Sequence, residues 1–245
     1  MTVINDYSHL SLADLADRTH TEYSPTSAEK PTTVVDPTTP DIVSIRGNGT
    51  RAPVFCIHPI DGLASRYGAL AAHIDGEHPV YGVEASPAVQ RESSLSAVAS
   101  LYAEEIVAAG RADTVHLLGL QFGGLLAHAI GVALQGRGVA VDSLTLLAST
   151  PTHHSPQVQH DLLAGMGEDV DRSRAEELLA VATRNEVLAS EHFPGVFVGN
   201  ALVVSTAGSD AGAAWHTFVS GTVSKYEVPD ATAFGIVGPL VNRFL

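Results

Sequence analysis

Six short apolar runs, alternating with segments of helical periodicity, constrain this chain more than any other feature. They read PVFCIH (53–58), PVYGVEA (79–85), TVHLLG (114–119), VDSLTLLAS (141–149), ALVVSTA (201–207) and VSKYEVP (223–229). Runs this short, apolar and rich in β-branched residues fit strands buried on both faces. SRYGALAAHI follows the first run as a helix. In SSLSAVASLYAEEIVAAG (93–110), Leu95, Val98, Tyr102, Ile106 and Ala109 recur every three or four residues, as one helix face requires. Ser93 or Ser94 can cap that helix and Gly110 can end it. FGIVGPLVNRFL closes the chain as a helix, with Pro239 placed to kink it. The alternation predicts an α/β fold, a mainly parallel sheet with helices on both faces.

Two stretches depart from this pattern. Residues 1–40 read as a flexible N-terminal segment and linker, because SPTSAEKPTTVVDPTTP (24–40) is rich in Ser, Thr and Pro. Within them SLADLADR offers a short amphipathic helix capped by Ser11, with Leu12 and Leu15 on one face. It is either a frayed tail or a docking segment. Residues 41–245 form the folded domain. Its stretch 151–195 has no strand signal, whereas PQVQHDLLAGMGEDV and DRSRAEELLAVATRNEVLAS look helical. Such an insertion at the carboxyl edge of a parallel sheet is where a lid belongs.

Charge and cysteine usage narrow the partners. There are 13 Lys+Arg against 27 Asp+Glu, a formal charge of −14, which argues against nucleic acid and anionic membrane. The single cysteine, Cys56, lies in an apolar run and permits no internal disulfide. No leader-like N-terminus and no apolar run long enough to span a bilayer is present, so a cytoplasmic protein is expected. Twelve histidines include no HxxxH or HxH spacing, and neither a metal nor another cofactor is expected.

HLLGLQFGGLLAHAI (116–130) joins an apolar run to a small-residue helix through Gly119 and Gly123. This is the outline of the strand–turn–helix corner that carries Gly-x-Ser-x-Gly in α/β-hydrolases, with Gln121 on its point. From about residue 42 onward the chain resembles the thioesterases of nonribosomal peptide and polyketide assembly lines, which have the α/β-hydrolase fold. PVFCIHPIDGLASRYGALAAHI is similar to the first strand and oxyanion loop of that family, YGVEA to its second strand, and HLLGLQFGGLLAH to its elbow. ATRNEVLASEHFPGVFVGNALVVSTAG resembles the end of the lid and the next strand, and AWHTFVSGTVSKYEVPDATAF the last strand and the histidine loop.

The resemblance implies a serine, a carboxylate and a histidine at three points. Here Gln121 stands at the first, Ala148 of LLAS at the second, and Thr232 of VPDATAF, or a neighbour, at the third. No histidine follows His216. Loss of the serine or histidine alone costs such a triad about a millionfold in turnover. Three differences at three points therefore argue against hydrolysis through an acyl-enzyme.

What remains suits binding and polarisation. If the family geometry holds, the backbone N–H groups of Ile60 and Phe122 occupy the oxyanion position. Gln121 adds a donor and an acceptor; it either binds ligand or bonds a neighbouring loop. Asp61, in HPIDG, is a general acid–base candidate or a cap for the next helix. His153 and His154 follow the fourth run; one is a candidate proton carrier at the pocket, or both are solvated. His58 is expected to be structural, His128 packed or at the surface, and His216 packed beside Trp215 or bordering the substrate channel. The sites expected are thus Gln121, Asp61 and His154 for catalysis and Ile60, Phe122, Ala148, His153 and Thr232 for substrate. The substrate is a polyketide or peptide-like small molecule, free or on an acyl or peptidyl carrier protein. A non-hydrolytic step such as cyclisation or isomerisation ranks first, a non-catalytic scaffold binding a carrier protein or partner enzyme second, and residual thioester hydrolysis third.

Overall fold

Short runs that are apolar at every position have no solvent face to offer, and their best burial is the middle of a covered sheet. That is where they lie in the structure, a computed structural model that describes residues 41–86, 89–110, 113–152 and 171–245. Seven strands form one sheet: β1 (Ile42–Arg46), β2 (Val54–Ile57), β3 (Val80–Val83), β4 (Thr114–Leu120), β5 (Ala140–Leu147), β6 (Ala201–Thr206) and β7 (Val223–Val228). Their order is β1-β3-β2-β4-β5-β6-β7, and only β1 runs antiparallel to its neighbour. All four residues of β2 and all four of β3 are buried.

The helices are α1 (Tyr67–Ala71), α2 (Leu95–Ala108), α3 (Phe122–Gln135), α4 (Arg172–Ser190), α5 (Ala211–Trp215) and α6 (Phe234–Val241). Ser94 caps α2 by accepting from the Ala97 N–H, and Gly110 lies just beyond its end at φ 59°. Two cores result, one on each face. Leu95, Tyr102, Leu126 and Ile130 of α2 and α3 pack with Phe55, Leu117 and Leu144. Tyr67 and Leu70 of α1 and Val237 and Leu240 of α6 pack with Cys56, Leu118 and Val204 on the other.

Departures from expectation are local. The six expected strands are present, and β1 adds a seventh at the edge. The first helix is shorter than SRYGALAAHI, and the last stops at Val241 with Pro239 inside it. Of the expected insertion, α4 covers DRSRAEELLAVATRNEVLAS; PQVQHDLLAGMGEDV and the segment 1–40 lie outside the described residues.

The chain moves from β2 outward to β3 in one direction and from β4 onward in the other. The strand order therefore reverses between β2 and β4, and in open α/β sheets the crevice at the carboxyl ends of such strands is the ligand site.

Candidate functional site

Gln121 stands at that reversal, at the carboxyl end of β4 and immediately before α3. Its backbone is at φ 52°, ψ −116°, a region that side chains other than glycine rarely adopt. Its N–H donates to the Leu147 carbonyl (2.7 Å), and its carbonyl accepts from the Gly124 N–H (3.0 Å). The glycines around it are required by close approach. A Cβ on Gly119 would lie 2.0 Å from the Gly123 carbonyl oxygen, one on Gly123 2.5 Å from the Ile57 carbonyl oxygen, and one on Gly124 2.5 Å from Ser149 Cβ. The side chain of Gln121 is exposed and makes no cap bond to α3. The start of the helix and the end of β2 are thereby pressed together, with the buried Phe122 ring stacked 5.9 Å from His58.

The loop after β2 is fixed from several directions. His58 is buried, with Nδ1 2.7 Å from the Pro59 carbonyl oxygen and Nε2 3.0 Å from the Tyr102 hydroxyl. Burial lowers its pKa, so the ring is neutral; a carbonyl only accepts, so Nδ1 carries the proton. The Pro59 carbonyl also accepts from the Gly62 N–H (3.1 Å), which fixes the peptide plane that bears the Ile60 N–H. Asp61 is buried; its carboxylate accepts from the Leu63 N–H (3.1 Å) and faces the Arg66 guanidinium at 3.4 Å. It does not cap α1, whose N-cap position is held by Arg66. An aspartate bonds most readily to the backbone two residues on, and here it does so in the loop. On the other side, the buried hydroxyl of Tyr67 donates to the Ile57 carbonyl (2.7 Å) and accepts from the Leu120 N–H (2.9 Å), tying the ends of β2 and β4 together.

Ala148 follows β5, directly beside the corner, at φ 45°, with its N–H bonded to the Val204 carbonyl (2.7 Å). Sheet order thus brings Ile60, Asp61, Gln121, Phe122 and Ala148 to one edge of three adjacent strands. Thr232 lies in the loop after β7, a strand three spacings or about 14 Å from β4. It is exposed, and its hydroxyl is held by the Asp230 carboxylate (2.7 and 2.8 Å). His153 and His154 lie outside the described residues. His128 is fully buried against Trp215, with Nε2 2.9 Å from the Phe218 carbonyl oxygen, and His216 is exposed rather than packed. Sequence reasoning missed Tyr67, Asn185 and Ser149. Asn185 donates to the Ile60 carbonyl (3.0 Å), and the buried Ser149 abuts Gly124 while its carbonyl accepts from Trp215 Nε1 (2.9 Å). Among the described residues no cluster of three or more His, Cys, Asp or Glu side chains is arranged to hold a metal, and no helix is long and apolar enough to cross a membrane. Two grooves, of about 530 and 250 Å³, lie at the opposite edge of the sheet, one bordered by Gly110 and Gly138, the other by Gly49 and Arg51.

A family model described as thioesterase domain matches residues 52–197. The chain belongs to the thioesterase domain family. Malpinin synthetase of Mortierella alpina is 29% identical over 240 residues, covering 83% of this chain and 3% of that protein. The dimodular nonribosomal peptide synthase of Bacillus subtilis strain 168 is 33% identical over 118 residues, covering 47% of this chain and 5% of that protein. The chain thus spans only a few per cent of these relatives' length. Among solved structures, the NocB thioesterase domain of the nocardicin cluster superposes with a TM-score of 0.68 at 21% identity, covering 80% of this chain and 94% of that one. The thioesterase-like domain therefore shares the α/β-hydrolase architecture of these proteins.

Proposed function

We propose that this thioesterase-like domain catalyses a non-hydrolytic step of nonribosomal peptide or polyketide biosynthesis, such as cyclisation or isomerisation, by positioning its substrate and polarising a carbonyl. The observation that carries the reading is Gln121 on a fully retained corner. The strained backbone and the glycines that permit it are present, yet the side chain on the point is a carboxamide, which hydrogen-bonds and is not a nucleophile. Ala148, and Thr232 or a neighbour, stand where the family resemblance implies a carboxylate and a histidine, which supports reading the triad as replaced.

On this reading the Ile60 N–H and the N-terminus of α3, the positive end of its dipole, face a substrate carbonyl. Gln121 orients a carbonyl or amide. Asp61, held beside Arg66, supplies fixed negative charge or moves a proton. No covalent intermediate forms; the rate gain comes from orientation and polarisation. The substrate is peptide-like or polyketide and reaches the site free or on a carrier protein, a partner suggested by the modular synthetases among the relatives.

A second reading, a non-catalytic domain that binds a carrier protein, is favoured by one observation: the polar groups of Asp61 and Thr232 are already taken by their own loops. Deleting the gene in the producing organism separates the two. Accumulation of an uncyclised or unisomerised product, converted by added purified protein, supports catalysis. An unchanged final product contradicts it.

A further inference from the structure

Helix α4 is hydrophilic along most of its length, and its buried residues are Ala182, Asn185, Leu188 and Ala189, a single stripe. Within that stripe Asn185 is only 4% exposed. A buried carboxamide in an apolar contact costs free energy unless it is bonded, and its Nδ2 donates to the Ile60 carbonyl (3.0 Å). One turn earlier on the same face stands Val181. A Cβ on Gly62 would lie 3.0 Å from Val181 Cγ1 and 2.8 Å from Ala85 Cβ, and Gly62 is also at φ 82°. The adjacent Arg184 guanidinium donates to the Val89 carbonyl (2.8 Å) and to the Glu92 carbonyl, in the turn leading to α2. Three contacts therefore fasten α4 to the loop after β2 and to the turn after β3.

We propose that Asn185 is a positioning residue that couples helix α4 to the loop of residues 59–63, so that the two move as one unit. The mechanics follow from the two peptides around Ile60. His58 and Gly62 hold the carbonyl of Pro59, which sets the plane bearing the Ile60 N–H. Asn185 holds the carbonyl of Ile60, which sets the next plane. With both planes held, the path of the loop from Pro59 to Asp61 is fixed while α4 is seated. A slip of α4 by one residue breaks the bond and leaves an amide and a carbonyl unpaired in a closely packed contact. The inference builds on the reading of Ile60 as part of the ligand-binding corner, but its test needs no substrate and can fail while that reading stands.

The test is amide hydrogen exchange on the full chain in wild type, Asn185→Asp and Asn185→Leu. The aspartate keeps the shape and presents an acceptor to an acceptor; the leucine keeps the apolar packing and removes the bond. In both variants the amides of 60–63 and of 172–190 should exchange faster by a common factor, about threefold to tenfold for one hydrogen bond. The strand amides of β4 and β5 should keep wild-type protection. Faster exchange in α4 with 60–63 unchanged overturns the proposal, as does an equal loss in the central strands. If the variants do not fold, wild-type exchange under increasing urea decides. A shared opening free energy and urea slope for the two segments supports the coupling, and separate values overturn it.

Discussion

At Gln121 the side chain and the backbone make opposite demands. A residue with a Cβ at φ 52° carries strain of roughly 1–3 kcal/mol, which glycine would relieve less its own entropic cost of about 0.5–1 kcal/mol. Gln121→Gly should therefore match or exceed wild-type stability by up to about 2.5 kcal/mol, whereas Gln121→Val should lower it. Thermal melts of the two variants check this, and equal losses in both would contradict the strain. Tyr67 makes the opposite case. Removing its hydroxyl in Tyr67→Phe leaves the Ile57 carbonyl and the Leu120 N–H without their partner in the core, at about 1–3 kcal/mol for each group left unsatisfied. With roughly 2–4 °C per kcal/mol in a domain of this size, the melting temperature should fall by several degrees. A Tyr67→Phe melt within 1 °C or so of wild type would show that the bridge does not matter.

The strand–turn–helix corner is the element on which the site depends, and its glycines admit no substitute. Gly119→Ala puts a methyl 2.0 Å from backbone that has nowhere to go, so the variant should lose its folded state by circular dichroism. Gly138→Ala, at a turn with open space around it, should fold, with only the strain of its φ of 80° to bear. The corner was legible in the sequence because close approach leaves glycine at fixed spacing, and the buried strands because they are apolar throughout. Strand β1 was not: IVSIR is short, half-buried and at an edge, and its place depends on pairing with β3. Asp61 was read as a general acid–base candidate or a helix cap; the cap is not formed, because its nearer bond to Leu63 prevailed. The bond of Thr232 to Asp230 was not foreseen, although an Asp two residues earlier is itself the mark of a local turn. Tyr67 and Asn185 left no trace in the pattern. Each looks like an ordinary helix residue, and its role comes from one bond, Asn185 to a carbonyl 125 positions away.

Over the whole molecule, buried ionisable groups set opposing responses to pH. Burial holds His116, beside His78, and His128 down to about 4, whereas unfolded histidine takes up its proton near 6.5. Between those values the unfolded chain binds more protons, so stability falls as pH drops through the window, by up to about 3 kcal/mol for each histidine. Glu105 runs the other way. Burial, reinforced by the neighbouring Asp41 carboxylate, pushes it up to about 8 from an ordinary 4.5. Between those values the folded state holds the extra proton, and stability falls as pH rises. Melting temperature should therefore peak near about pH 6 to 7 and decline on both sides. Glu105→Gln should flatten the alkaline decline and leave the acid one, and a wild-type curve flat from pH 4 to 9 would contradict both assignments.

On the proposed function, the same whole-molecule frame keeps a hydrolase corner without forming an acyl-enzyme. The most direct test is intact-protein mass spectrometry after incubation with N-acetylcysteamine thioesters of short peptides, with free thiol followed in parallel. The account predicts an unmodified protein mass and thiol release at the uncatalysed background. A covalent acyl adduct, or release above background that vanishes in Asp61→Ala, would contradict it.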